Sequence, residues 1–194
     1  MRADLVFIAA IITILSPLPY ILDSLRGKTH PNLVTWFTWT LLNAITAAAA
    51  WSSGARQTAV FMTAAAIATF SIVLAGLRYG LKRYTKFDIY CQIIALAGLA
   101  IWLITHLPAS AIAINVAIDF VGLLPTIRHA WKSPQAETWQ TFMLAMIAGA
   151  LTLISIQHYS FVSLASPIYI FLADSTMVFV ILSRRQFYKS VKQK

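Results

Sequence analysis

Ser16-Pro17-Leu18-Pro19-Tyr20-Ile21 closes one apolar run, and after a basic joint Pro31-Asn32-Leu33-Val34-Thr35-Trp36 opens the next. The same order returns in the second half of the chain. Gly122-Leu123-Leu124-Pro125-Thr126-Ile127 answers the first block at an offset of 106. Pro134-Gln135-Ala136-Glu137-Thr138-Trp139 answers the second at an offset of 103, so the second joint is three residues shorter. A proline near a helix end, followed by Pro-amide-x-x-Thr-Trp at the start of the next helix, occurs twice at equivalent positions. That is the mark of an internal repeat.

Outward from these blocks, apolar runs cover Leu5–Leu22, Leu33–Trp51, Thr58–Leu77, Ile89–Thr105, Ala109–Ile127, Thr138–Ile156 and Phe161–Leu182, each of 17 to 22 residues. A run of roughly 20 apolar residues is what a helix needs to cross the hydrocarbon layer. The pattern predicts an all-α integral membrane protein with seven transmembrane helices. Residues 1–86 form a first three-helix repeat, 87–107 a linker helix, and 108–194 a second repeat with a basic cytoplasmic tail. An odd linker makes the two copies parallel, a 3+1+3 plan used by carriers. The composition agrees: of 194 residues 59% are hydrophobic and 11% charged, with a mean hydropathy of +0.75. The first run reads as a helix, not a cleaved signal, because Asp4 interrupts its charged start, Pro17 and Pro19 break it, and no Ala-x-Ala-like site follows.

Basic residues set the expected orientation. Arg2 and Arg56 fall on the side of the N-terminus, whereas the other 13 of the 15 Lys and Arg residues fall on the opposite side, including Arg26, Lys28, Arg78, Lys82, Arg83, Arg128, Lys132, Arg184, Arg185 and Lys194. The N-terminus is therefore expected outside and the C-terminus in the cytoplasm, with a bacterial cytoplasmic (inner) membrane as the location. Since the positive charge sits at helix ends, it implies a lipid bilayer partner and no nucleic acid. A homo-oligomer is compatible with the sequence.

Leu15-Ser16-Pro17-Leu18-Pro19-Tyr20 followed by Arg26-Gly27-Lys28-Thr29 resembles the proline-glutamine motif and Lys-Thr-Lys joint of the SWEET, SemiSWEET and PQ-loop superfamily of small-solute carriers. The resemblance implies a divergent member, with Tyr20 and Thr126 where the family has glutamine. It also implies paired hinges at Pro19 and Pro125, and an asparagine-like substrate contact in the last helix of each repeat. There Leu172-Ala173-Asp174-Ser175 has Asp in place of Asn, and the first repeat offers Thr69 or Ser71. By the same resemblance Trp51 stands for a tryptophan that stacks on substrate.

Asp4, Asp23, Asp88 and Glu137 sit at helix ends or joints and read as solvated. Asp119 and Asp174 lie mid-run, where a charged carboxylate costs roughly 2.5 to 3.5 kcal/mol, so each implies a polar cavity, a partner or a bound proton. Asn115, four residues before Asp119, shares its helix face. Trp36, Trp39, Asn43 and Trp51 roughly follow one stripe, and Asn43 is the mid-helix pocket candidate. Trp36 and Trp139 read either as gating residues or, with Trp39 and Trp131, as part of an interfacial belt. The alanines at 47–50, 64–66 and 68 suit close helix approach. His30, His106, His129 and His158 have no ligand spacing, so no metal site is expected. There is no nucleophile–base set, so no enzyme, and no lysine within a run for a Schiff base. One cysteine, Cys91, allows no internal disulfide, and no cofactor is expected. The expectation is a transporter, a uniporter or proton-coupled carrier of a small polar solute such as a sugar, vitamin or amino acid. A ligand-sensing or sorting receptor on the same scaffold is the alternative.

Overall fold

The computed structural model describes residues 2–29, 33–79, 86–105 and 107–192. His30, Pro31, Asn32, Lys82, Arg83, His106 and Lys194 lie outside the described residues, as do the side chains of Arg2, Thr35, Asp88, Cys91, Pro125 and His129. Among the described residues the regular structure is helical: α1 (Arg2–Leu15), α2 (Pro17–Leu25), α3 (Leu33–Ser52), α4 (Arg56–Tyr79), α5 (Lys86–Thr105), α6 (Pro108–Lys132), α7 (Trp139–Ser155) and α8 (Phe161–Lys192), with a 3-10 turn at Pro134–Ala136. Among the described residues four stretches are long and apolar enough to cross a membrane: Asp4–Leu25, Arg56–Arg78, Pro108–Lys132 and Phe161–Tyr188. This is a membrane protein. In α7 the apolar helix is 17 residues long, and α3 is interrupted by three tryptophans, four threonines and Asn43.

The helix ends and breaks follow from local chemistry. Gly27 and Gly54 adopt φ of +68° and +75°, the left-handed form that closes a helix and that side chains with a Cβ resist. At each, the next amide reaches back five residues: Lys28 N–H donates to Asp23 O at 2.9 Å and Ala55 N–H to Ala50 O at 3.0 Å. The first rod breaks at Ser16, between α1 and α2. Pro17 has no N–H for the Thr13 carbonyl four residues earlier, and the Ser16 hydroxyl donates to that carbonyl at 2.8 Å. A second proline, Pro167, lies inside α8 and leaves the Ser163 carbonyl open. There the hydroxyl of Thr58, at the start of α4, donates at 2.6 Å.

Packing places α1 against α4 and α7, α6 against α8 and α3, α3 against α4, and α7 against α8, while α5 touches α3 and α6. Small residues permit the close approach. Ala9, Ala47, Ala49, Ala50, Ala59 and Ala64 are buried, and a Cβ on Gly149 of α7 would stand 3.5 Å from the Pro167 carbonyl of α8. The outer faces are apolar, with Phe7, Ile11, Leu74, Phe120 and Phe179 all exposed as a hydrocarbon surround requires.

Candidate functional site

Between the helices lies a cavity of about 120 Å³. Each half of the chain contributes to it. From α1, α2, α3 and α4 come Thr13, Pro17, Trp36, Trp39, Asn43 and Thr69; from α6, α7 and α8 come Asp119, Thr141, Phe142, Tyr169 and Asp174. Most of the wall is aromatic or aliphatic, and a few polar groups converge on it, the usual makeup of a small-molecule site.

Two helices of the second half supply the carboxyls. Tyr169 and Asp174, five residues apart in α8, both reach the wall, and α6 brings Asp119 there too. The Tyr169 hydroxyl and the Trp39 indole N–H both face the Asp119 carboxyl, and Asp174 lies within electrostatic range of Asp119. Tyr169 nevertheless stops short of a hydrogen bond, and its hydroxyl is buried without a partner. The Thr141 hydroxyl, on a residue 6% exposed, is in the same condition. Other hydroxyls are already engaged: Thr13 donates to Ala9 O at 2.8 Å, and Thr69 donates to Ala65 O at 2.9 Å and meets Thr40 Oγ1 at 3.1 Å. Asn43, the two carboxyls, Thr141 and Tyr169 are thus left to face a guest. Among the described residues lining the cavity there is no Lys, Arg or His.

Of the residues singled out in the sequence, Asp174, Asp119, Asn43 and Trp36 meet at this cavity. Trp36 is buried, edge-on to Tyr20 at 5.0 Å and to Trp39 at 4.9 Å, so it sits inside the bundle and not in an outer belt. Trp51 stands elsewhere, 51% exposed, donating its indole N–H to Thr63 Oγ1 at 3.2 Å. Asn115 is also outside the wall: its amide donates to Leu42 O at 3.2 Å and Thr46 Oγ1 at 3.1 Å, tying α6 to α3. Trp139 packs against the cluster of Leu123, Phe142 and Ile181. The break in the first rod falls at Pro17, two residues before Pro19, and α6 runs through Pro125 uninterrupted. Sequence reasoning did not single out Tyr169, Thr141, Pro167 or Thr58. A proline inside the last apolar run, ahead of Asp174, was the available signal for two of them, Pro167 and Tyr169.

No family model, curated protein or solved structure matches the chain.

At the other end of α2 the joints are less exposed than their charges suggest. Thr138, buried, donates to Asp23 Oδ2 at 2.9 Å, and Lys28 Nζ lies 4.0 Å from the other oxygen. Burial pushes the Glu137 carboxyl up to about 7, since a charged form is poorly solvated there. Arg185 of α8 donates to the backbone carbonyls of Pro134 at 3.0 Å and Glu137 at 2.7 Å. Arg184 lies over the Trp131 ring at 4.5 Å. Among the described residues no three His, Cys, Asp or Glu side chains come together as a metal site would require.

Proposed function

We propose that this chain is a SWEET-like membrane carrier, a uniporter or proton-coupled transporter of a small polar solute. The observation that carries the reading is the cavity itself: a partly aromatic space with Asp119, Asp174 and Asn43 on its wall, lined by both halves of an apolar helical bundle. Intramembrane carboxylates mark solute or proton pathways by default.

The repeat is part of the same proposal. Exchanging α1 with α6, α3 with α7 and α4 with α8 maps the packing of the helices onto itself, with α5 left as the linker. The cavity wall follows the same exchange. Thr13 and Asp119 are 106 apart, the offset of Pro19 and Pro125, while Ala68 and Ala173, and Thr69 and Asp174, are 105 apart. Both carboxylates come from the second half, with threonines at the matching positions of the first. In this reading seven helices cross a bacterial inner membrane in a 3+1+3 arrangement, the basic joints and tail facing the cytoplasm.

Flux into proteoliposomes tests the proposal. A panel of radiolabelled sugars, vitamins and amino acids should include one solute that accumulates through the wild-type protein and not through Asp174→Asn/Asp119→Asn. Saturable binding with no flux would instead make the protein a ligand-sensing or sorting receptor.

A further inference from the structure

We propose that the cavity receives a small organic cation, an ammonium group on a short aliphatic body, held between the carboxylates of Asp119 and Asp174 and the rings of Trp36, Trp39 and Tyr169. The assignment deepens the carrier reading and rests on it for its biological meaning, although binding itself can be measured without flux.

Three observations converge on this chemistry. The described wall carries two carboxyl groups and no basic side chain, so a cationic guest supplies the counter-charge that the wall lacks, and an anionic guest finds no basic partner. Trp36, Trp39, Phe142 and Tyr169 line the same wall, and aromatic rings attract ammonium groups, an attraction that strengthens where water is excluded. Independently of the acids, Thr141 is 6% exposed and its hydroxyl has no partner, although the residue lines the cavity. That oxygen, like the unpartnered Tyr169 hydroxyl, can accept an N–H from a guest. A bare metal ion suits the site poorly, because hard cations want a nearly complete shell of oxygens and rings occupy much of this wall.

Size agrees with the class. A cavity of about 150 Å³ is known to admit benzene, so the 120 Å³ here accommodates a short amine.

The experiment uses the full chain, purified in lipid nanodiscs, and three probes with the same number of heavy atoms: n-butylammonium, 1-butanol and propanoate. Thermal unfolding is followed against probe concentration at neutral pH and matched ionic strength. Butylammonium should raise the melting temperature and reach half-effect at a concentration about tenfold or more below that of butanol, with no response to propanoate. Asp174→Asn and Asp119→Asn should each raise the butylammonium half-effect concentration by about tenfold and leave butanol unchanged. Thr141→Val should weaken butylammonium. If the Asn variants do not fold, the three-probe comparison on the wild-type protein still decides. Equal responses to amine and alcohol, a preference for propanoate, or folded Asn variants that bind the amine like the wild type would each overturn the proposal. Amine binding without amine flux would leave this inference standing and sink the carrier reading, and flux of a neutral solute without amine binding would do the reverse.

Discussion

The Ser163 carbonyl in α8 has lost its helical partner to Pro167 and accepts the Thr58 hydroxyl of α4 instead, at 2.6 Å. In an apolar surround an unpaired carbonyl costs on the order of 1 to 3 kcal/mol. Thr58→Val should therefore destabilise the fold by about that amount, measured by thermal or denaturant unfolding in nanodiscs. In a Pro167→Ala background the helix regains its own N–H for that carbonyl, and the cost of Thr58→Val should shrink to a few tenths of a kcal/mol. Equal costs in both backgrounds would mean that the hydroxyl serves some other contact. Glu137 gives a second prediction at this scale. Its folded carboxyl titrates at about 7 against an ordinary 4.5, so between those values the folded chain holds a proton that the unfolded chain has released. Stability is then highest below about pH 4.5 and falls as pH rises towards 7, becoming flat above it. Glu137→Gln should remove this slope, an effect on the order of 1 to 2 kcal/mol after allowance for partial exposure; an unchanged melting profile from pH 5 to 8 would reject the assignment. The residue scale is also where the sequence is least readable. Asp119 and Asp174 stand out because a charge amid an apolar run is costly, and both line the cavity. Tyr169 and Thr141 do not stand out, since a tyrosine or threonine in a helix is ordinary until its hydroxyl is seen to have no partner.

Each apolar run of the sequence coincides with helix to within a few residues at its start, because hydrophobic content and length are local properties. The ends differ where tertiary contacts extend a helix. α8 continues ten residues beyond the apolar run that ends at Leu182, held by Arg184 bonding the Trp131 carbonyl in the last turn of α6, by Arg185 bonding carbonyls of the α6–α7 joint and by Tyr188 donating to Lys132 O at 3.3 Å. Repeated prolines suggest hinges, but which proline breaks a helix depends on what becomes of the freed carbonyl. Pro17 interrupts the first rod, whereas α6 passes Pro125 unbroken. If the bend between α1 and α2 takes part in alternate opening, Pro17→Ala should slow solute flux several-fold while leaving insertion and melting temperature nearly unchanged. Pro19→Ala, beyond the break, should have the smaller effect. A Pro17→Ala protein with wild-type flux would assign the bend to folding alone.

For the molecule as a whole, orientation is the simplest expectation to test: if seven spans place 13 of the 15 basic residues on one side, a C-terminal reporter fusion should act as cytoplasmic and a tag ahead of Asp4 should be reachable from outside. Both ends on one face would remove the seven-span arrangement. If the chain is a carrier, the two carboxyls should make flux depend on pH, and Asp174→Asn should flatten that dependence more than Asp119→Asn, whose amide still faces Trp39 and Tyr169. Finally, the bond from Thr58 to Ser163 has a mechanical consequence. It joins the starts of α4 and α8 at two buried residues, where water reaches it poorly, whereas the Asp23 contact with Thr138 ties α2 to the start of α7 beside the exposed Lys28, where water can compete. In the carrier reading, one rim of the bundle would then serve as a fulcrum and the other as a clasp. Spin labels at the starts of α4 and α8 should hold a single separation throughout the cycle, while labels near Asp23 and Thr138 should report two.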